Sequence, residues 1–215
     1  LEVNSNQLTT FPHGIGTLAS LRSLAANWNQ IVSLPVEIGS LSSLVNFELY
    51  GNQLIALPST IGSLTAMTNF NLANNRLESL PFEIGGMVNM ESLYLMNNRL
   101  TSITPGIGSM IKIIKLNIGS NSLTALPAEI GNLVAMREFT AYWNQLTTLP
   151  EELGDLASLE VLQLSSNKLV SLPNTFGQLN NLQNLELSNN LLVSLPASFA
   201  YGNLSSLSII NAEYT

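Results

Sequence analysis

The sequence predicts an α/β solenoid: one elongated domain of stacked short coils, each giving one strand to a curved parallel sheet. Three observations predict it. An asparagine recurs every 23 residues, leucines alternate with polar residues just before it, and a Leu-Pro step and a glycine follow it at fixed distances. A fixed period of this size is typical of units that pack only on their neighbours. The nine asparagines are Asn6, Asn29, Asn52, Asn75, Asn98, Asn121, Asn144, Asn167 and Asn190.

One unit reads L-x-x-L-x-L-x-x-N-x-L-x-x-L-P-x-x-I-G-x-L-x-x, and positions below are counted from its first leucine. Eight full units, repeats 1 to 8, span 21–206, between partial units at 1–20 and 207–215. Two extra residues shift the phase at Ala200 and Tyr201. Because Leu1 falls within a unit, we expect flanking sequence in the natural protein. The eight full units begin at Leu21, Leu44, Met67, Met90, Ile113, Met136, Leu159 and Leu182.

The strand is predicted at positions three to six, where apolar and polar residues alternate, as in Leu162-Gln163-Leu164. A period of two indicates a short strand with one buried face. With one strand per unit, strands must pair between units, in parallel and about 4.8 Å apart. The asparagine follows where the chain bends, so we expect its side chain to bond backbone groups that the bend leaves unpaired. Stacked in register, these side chains are predicted to form a buried ladder.

The outer segment of each unit is predicted to be a short 3₁₀ or helical turn, since proline ends strand pairing and a glycine closes the segment. One unit departs from this pattern: Ile103-Thr104-Pro105-Gly106 places proline one residue later. Ordinary drift explains the change better than a local kink, since loops tolerate substitution. A ladder of small residues is expected to pack between units. It consists of Thr10, Ser33, Ala56, Ser79, Ser102, Ala125, Thr148, Ser171 and Ser194.

The unit resembles the leucine-rich repeat over the whole chain. Its Leu-Pro-x-x-Ile-Gly variant is similar to the Ras-group intracellular leucine-rich repeat proteins, to the related plant intracellular group and to the repeat arrays of Roco proteins. The resemblance implies a horseshoe whose concave parallel sheet binds other proteins. It implies a convex side of 3₁₀ turns, short helices or loops. Nothing in the chain resembles a GTPase or kinase domain.

The composition excludes several classes of function. The net charge is −7 and the pI about 4.6, whereas a general nucleic-acid binder needs a basic stripe. No apolar run approaches the roughly 18 residues that span a bilayer. The chain has no cysteine, which favours a reducing, cytoplasmic compartment.

The residues needed for common catalytic and metal sites are missing. His13 is the only histidine, so a Ser-His-Asp or Cys-His triad and a zinc site are not expected. The densest acidic group is Glu151, Glu152 and Asp155, for which a solvated turn is expected rather than a calcium site. We therefore expect no cofactor and no enzyme activity.

The candidate binding surface comprises positions three, five, seven and eight, which point away from the core. Both tryptophans of the chain fall there. Trp and Tyr are enriched at binding hot spots because they bury large areas at low entropy cost. The alternative is that these side chains shield the sheet or stack on neighbours. The candidate residues form three clusters over roughly 25–30 Å: Trp28 with Tyr50, Tyr94 with Met96, and Tyr142 with Trp143.

Charged residues at equivalent positions of adjacent units add a second clue. Lys115 with Glu138, and Arg137 with Glu160, are predicted to bridge neighbouring strands. Arg76 and Arg99 instead place like charges side by side. They are predicted to anchor an acidic group of a partner, although long side chains splaying into water are the simpler explanation.

The predicted function is a non-catalytic recognition module that binds a protein or peptide on its concave face. One alternative is a sensor or regulatory arm of a larger signalling GTPase or kinase. Another is an extracellular adhesion or ice-binding protein, suggested by the Thr/Ser ladder and the glycosylation sequon Asn203-Leu204-Ser205. Exposed strand edges at both ends predict end-to-end self-association.

Overall fold

A computed structural model of the chain describes residues 1–199 and 209–211. Its nine strands form one parallel sheet in which each strand pairs with the next along the chain. Only 3₁₀ helices, and no α-helix, connect the strands in the described ranges. The predicted α/β solenoid is confirmed. The strands, β1 to β9, are Ser23–Ala25, Asn46–Glu48, Asn69–Asn71, Ser92–Tyr94, Lys115–Asn117, Glu138–Thr140, Val161–Gln163, Asn184–Glu186 and Ile209–Asn211.

The register between strands keeps the period of the sequence. Leu24 pairs with Phe47 and Phe47 with Phe70, each 23 residues further on. Equivalent positions of successive repeats therefore lie side by side, one strand spacing apart. Between β8 and β9 the offset is 25 residues, because Asn184 pairs with Ile209.

The outer side consists of 3₁₀ helices, as predicted. A proline in extended conformation precedes most of them, and the isoleucine, leucine or phenylalanine at the centre of each five-residue helix is buried. The residue after this buried one is glycine, because the next coil lies too close for a side chain. A Cβ on Gly39 would stand 2.4 Å from the Thr60 carbonyl oxygen. The helices are His13–Thr17, Val36–Ser40, Ser59–Ser63, Phe82–Gly86, Pro105–Ser109, Ala128–Asn132, Glu151–Asp155, Asn174–Gln178 and Ala197–Phe199.

One continuous hydrophobic core runs between the sheet and the 3₁₀ helices. The middle residue of each of the strands β1 to β8 points into it, for example Leu24 and Phe47, both fully buried. Phe47 and Phe70 stack with ring centroids 5.2 Å apart. Burial of the middle residue forces its two neighbours in the strand onto the opposite, concave face.

The asparagine ladder is present, and Asn75 shows how it works. Its Oδ1 accepts a hydrogen bond from the backbone N–H of Leu54 at 3.0 Å. Its Nδ2 donates to the carbonyl oxygens of Leu49 and Leu72 at 2.9 and 3.0 Å. The equivalent asparagines from Asn29 to Asn190 join their own bend to the preceding coil in the same way. Five of them are buried: Asn29, Asn52, Asn75, Asn144 and Asn167.

The prediction that all nine asparagines are buried is wrong for the other four. Asn98, Asn121 and Asn190 are half-buried, although they keep the same hydrogen bonds. Asn6 is exposed, and its Nδ2 bonds only Val3 and Asn4 of its own turn.

Two further expectations concern the outer segment. The small-residue ladder is exposed in every repeat rather than packed between units. In most repeats the apolar residue that follows, such as Leu57 or Leu80, points into the core instead. The displaced proline leaves its 3₁₀ helix in line with the others. Thr104 occupies the place of the usual proline, and its Oγ1 accepts a hydrogen bond from the Gly106 N–H at 3.4 Å. The drift interpretation agrees with this geometry.

At the N-terminal end of the stack, Leu1 and Leu18 are 50% and 43% exposed, and end-to-end association stays a prediction. Ala200, Tyr201 and the sequon at Asn203 lie outside the described residues. Within the described ranges, no helix is long and apolar enough to cross a membrane.

Candidate functional site

The predicted binding residues all lie outside the core. Trp28 and Trp143 are 58% and 65% exposed, so neither is sealed in the hydrophobic interior. Tyr50, Tyr94, Met96 and Tyr142 are half-buried, and Arg76 and Arg99 are exposed. These eight residues come from five repeats, 1 to 4 and 6.

The first cluster, Trp28 with Tyr50, joins repeats 1 and 2. The two rings meet edge to face, with centroids 4.9 Å apart and an interplanar angle of 83°, a favoured aromatic geometry. The Trp28 ring also covers Gly51, where a Cβ would stand 2.7 Å from the Trp28 Cε3 atom. The indole is thus held by neighbours while more than half of its surface remains in solvent.

The second aromatic cluster, Tyr142 with Trp143, lies in repeat 6. Its rings also meet edge to face, at 6.2 Å and 88°. The Tyr142 ring packs against Gly119 of repeat 5, where a Cβ would stand 3.1 Å from the Tyr142 Cζ atom. In both clusters, a glycine of the adjacent repeat provides the space for an aromatic ring.

The central cluster, Tyr94 with Met96, belongs to repeat 4. Asn117 of repeat 5 donates from Nδ2 to the Met96 Sδ atom at 3.6 Å. In the sheet, Tyr94 lies between Asn71 and Asn117. The apolar surface of this cluster is therefore framed by side-chain amides.

The backbone at position eight is left-handed, a feature that the repeat pattern alone did not predict. Its residue adopts a positive φ in every repeat from 1 to 8, including 55° at Trp28 and 50° at Trp143. This left-handed conformation favours Gly and Asn and is uncommon for a bulky residue. The signal was present, since Gly51, Asn74 and Asn97 occupy the same position.

Two ion pairs cross the strands of repeats 5 to 7, as predicted. Lys115 Nζ lies 2.8 Å from Glu138 Oε1, and Arg137 lies 3.2 Å from Glu160. The hydrogen bond to Glu138, reinforced by its charge, raises the pKa of Lys115 above its ordinary value. Both pairs are partly exposed, so each contributes roughly 0–1 kcal/mol.

Arg76 and Arg99 differ from these paired residues. Each follows a ladder asparagine, in repeats 3 and 4, and neither guanidinium has an ion pair or hydrogen bond to any described residue. Two cations in adjacent repeats repel each other mildly. A negatively charged group placed between them would relieve that repulsion.

The described residues contain no group of three or more His, Cys, Asp or Glu side chains arranged to hold a metal ion. His13 and Glu37 pair on the outer surface at 2.9 Å, away from the concave face. The hydrogen bond that the protonated His13 ring donates to Glu37 Oε2 raises the pKa of His13, and the same contact lowers the pKa of Glu37.

Comparison with known proteins agrees with the repeat and the fold. A leucine-rich repeat region model matches residues 128–214, and a model of two leucine-rich repeat copies matches residues 65–109. A search of curated protein sequences found no match. With this sheet and these matched regions, the chain is a leucine-rich repeat solenoid.

Three solved structures show the similarity. A leucine-rich repeat protein of Leptospira interrogans is 30% identical, with a TM-score of 0.57 over 97% of this chain and 64% of its own. The plant peptide hormone receptor RGFR1, in complex with RGF2, is 25% identical, with a TM-score of 0.77 over 98% of this chain and 39% of its own. The Listeria monocytogenes protein InlJ is 23% identical, with a TM-score of 0.80 over 98% and 42%. The chain spans less than two thirds of each of these proteins.

Proposed function

We propose that the chain is a non-catalytic recognition module that binds a protein or a peptide on the concave face of its sheet. The observation that carries this proposal is the exposure of Trp28 and Trp143 on a left-handed backbone. A large side chain held in solvent at a disfavoured conformation contributes nothing to the core. Its benefit is therefore expected in a complex.

The chemistry of the surface supports the proposal. Exposed Trp and Tyr are the residues that most often dominate binding energy, because they bury large areas with few rotatable bonds. The first and second aromatic clusters lie five strand steps apart at most, or about 24 Å. An extended ligand segment of that length can contact both clusters at once.

The relatives support the same kind of activity. RGFR1 is a peptide hormone receptor whose structure contains RGF2, and it is similar to nearly the whole of this chain. The similarity to Ras-group, plant intracellular and Roco repeat arrays is part of this proposal. A sensor or regulatory arm of a larger signalling GTPase or kinase is the alternative to it.

The experiment replaces Tyr142 and Trp143 together by alanine and measures affinity for a peptide selected from a random display library on the unaltered chain. Loss of affinity by roughly tenfold or more is expected. Phe82→Ala is the matched control, because Phe82 is 67% exposed on the outer side. If affinity is unchanged in the double variant and lost in Phe82→Ala, the binding surface is not the concave face.

Binding to ice is a second candidate, favoured by the exposed small-residue ladder. The residue before each ladder member is also exposed, and it is Thr, Val or Ile in every repeat except at Glu78. These two columns form a regular array at about 4.8 Å intervals, more uniform than the concave face. A clear thermal hysteresis that disappears in Thr124→Lys and Thr147→Lys would favour this function over protein binding.

A further inference from the structure

A single carboxylate stands on the concave face beside the first aromatic cluster. Glu48 ends β2 and is the only charged residue at positions three, five, seven and eight of repeats 1 to 3. It is half-buried, and its one hydrogen bond to a described residue comes from Asn69 Nδ2, 3.2 Å from Glu48 Oε1. Arg22 and Arg76 are the cations of repeats 1 and 3, and neither forms an ion pair with it in the described part of the chain. A partly desolvated charge without a countercharge favours a cation supplied by a partner.

The distances around Gly51 show how the indole of Trp28 is oriented. A Cβ on Gly51 would stand 2.7 Å from Cε3 and 3.0 and 3.1 Å from Cδ2 and Cζ3, the two ring atoms bonded to Cε3. Similar distances to a ring atom and to both its neighbours place this point above the ring plane rather than at the ring edge. One face of the indole therefore lies on repeat 2. Trp28 is nonetheless 58% exposed, so the opposite face is open to solvent.

The indole, Tyr50 and Glu48 thus share one part of the concave face. Glu48 and Tyr50 are two residues apart, so their side chains leave the backbone on the same side. The Tyr50 ring meets the indole edge to face at 4.9 Å. Glu48 and Gly51 are three residues apart, which is about 10 Å at most. Ala25 lies beside Glu48 in the register, and its small side chain leaves the space next to the carboxylate open.

We infer that this surface of repeats 1 and 2 binds a lysine or arginine side chain of the ligand. The inference rests on the proposed function and names the chemistry that the first aromatic cluster recognises. The aliphatic stem of the basic side chain packs across the open face of the Trp28 indole, and its charged group lies beside Glu48. A cation within about 6 Å of an aromatic ring is also attracted by the negative face of that ring. A neutral side chain in the same place would leave Glu48 without a countercharge.

The second aromatic cluster lacks this carboxylate. In repeat 6, Thr140 occupies the position that Glu48 occupies in repeat 2. The one carboxylate at the outward positions of repeat 6, Glu138, is already paired with Lys115 at 2.8 Å. Selection for a basic side chain is therefore confined to the first cluster.

Repeat 8 presents the same carboxylate without the aromatic rings. Glu186 holds position five there, but Ser166 and Ser188 stand where Trp28 and Tyr50 stand relative to Glu48. A contact that depends on charge alone would form equally well at Glu186. Substitution of Glu186 is therefore a matched control for substitution of Glu48.

The first test measures the coupling between Glu48 and a basic residue of the ligand. Peptides are selected from a random display library on the unaltered chain, resynthesised with a fluorescent label and measured by anisotropy. Replacing the selected lysine or arginine by norleucine is expected to weaken binding roughly tenfold. Glu48→Gln, which keeps an oxygen acceptor for Asn69, should weaken it as much. Both changes together should weaken binding little more than either alone.

Two further measurements complete this test. Glu186→Gln should leave the affinity unchanged, and Glu48→Lys should restore binding of a peptide whose basic residue is replaced by glutamate. Additive effects of Glu48→Gln and the norleucine substitution, an equal loss in Glu186→Gln, or selected peptides without a basic residue overturn the inference.

The second test separates this inference from the proposed function. Selected peptides that lose affinity in both Trp28→Ala and Glu48→Gln support both. Peptides weakened by only one of these substitutions, or only by the Tyr142→Ala, Trp143→Ala double variant, overturn this inference alone. Peptides insensitive to all of these variants overturn both, as does a selection that yields no binder. Circular dichroism and thermal unfolding check that the variants remain folded.

Discussion

The indole of Trp28 covers Gly51 of the next repeat, and the two residues depend on each other. Gly51 has a φ of 69°, and a Cβ added there would stand 2.7 Å from the Trp28 ring. Glycine at this position therefore permits the positive φ and also leaves room for the Trp28 ring. The ring of Trp28, a proposed binding residue, thus depends for its position on a residue with no side chain.

Gly51→Ala is expected to destabilise the chain by about 1–2 kcal/mol, because the methyl group adds backbone strain and displaces the Trp28 ring. Chemical denaturation measures the change. In the Trp28→Ala background the cost should be smaller, since the ring contact is already lost. Gly14→Ala is the control, because a Cβ at Gly14 meets nothing within 4 Å. Equal costs of Gly51→Ala in both backgrounds would contradict this coupling.

Trp143→Asn is expected to raise the free energy of unfolding by about 0.5–1 kcal/mol while weakening binding. Asn adopts the left-handed backbone of this position more readily than Trp does. Trp143→Val should instead destabilise the chain, because a β-branched residue is least suited to a φ of 50°. Thermal unfolding and peptide affinity, measured on both variants, test the prediction. A Trp143→Asn variant less stable than the unaltered chain would show that the indole supports the fold.

Asn75→Ala is expected to cost about 1–3 kcal/mol, since it leaves the buried Leu54 N–H without its partner. The carbonyl oxygens of Leu49 and Leu72 each lose one donor but keep a second, from Asn52 and Asn98. Urea denaturation measures the loss. The control is Asn6→Ala, which removes only exposed hydrogen bonds within one turn and should change stability little. Similar losses in the two variants would mean that burial does not set the strength of the ladder.

The His13–Glu37 contact predicts a small stabilisation confined to a pH window. The pKa of His13 is raised from 6.5, so its contribution is present below that pH and is lost as the pH rises through the folded value. The pKa of Glu37 is lowered from 4.5, so its contribution is lost as the pH falls through the folded value. NMR titration of the His13 ring should give a raised pKa that returns toward 6.5 in Glu37→Gln. An unchanged pKa in that variant would remove the pair as its cause.

Reversible self-association is expected at high concentration, because apolar side chains such as Leu1 and Leu18 are exposed at the end of the stack. Leu18→Lys should reduce it by adding charge to that end. Light scattering against concentration measures the effect. Val36→Lys is the control, since Val36 is 59% exposed on the outer side. Equal association of both variants would exclude this end as the contact.

The sequence predicts the fold almost completely, because the 23-residue period sets the register, as the pairing of Leu24 with Phe47 illustrates. It also predicts that Trp28 and Trp143 are exposed, since strand alternation settles which side chains leave the core. The ion pairs at Lys115 and Arg137 follow from the same register.

Other features depend on close approaches that a linear pattern does not express. The packing of Trp28 on Gly51, and of Tyr142 on Gly119, depends on the direction in which each ring leans. The exposure of Thr10 accompanies the burial of Phe11, the residue that follows it. Asn6 is exposed because the bonds of the ladder run to the preceding coil, and no described coil precedes it.

The uninterrupted register from β1 to β8 places equivalent residues of successive repeats at a constant spacing along the stack. Each coil contacts only the coils beside it, so a whole coil can be gained or lost without disturbing the others. Removing repeats 3 and 4 would bring Tyr50 and Tyr142 closer by about 9.6 Å and leave the packing around each ring intact. Under the proposed function, duplication or deletion of one repeat would change the length of ligand that reaches both aromatic clusters by about 4.8 Å.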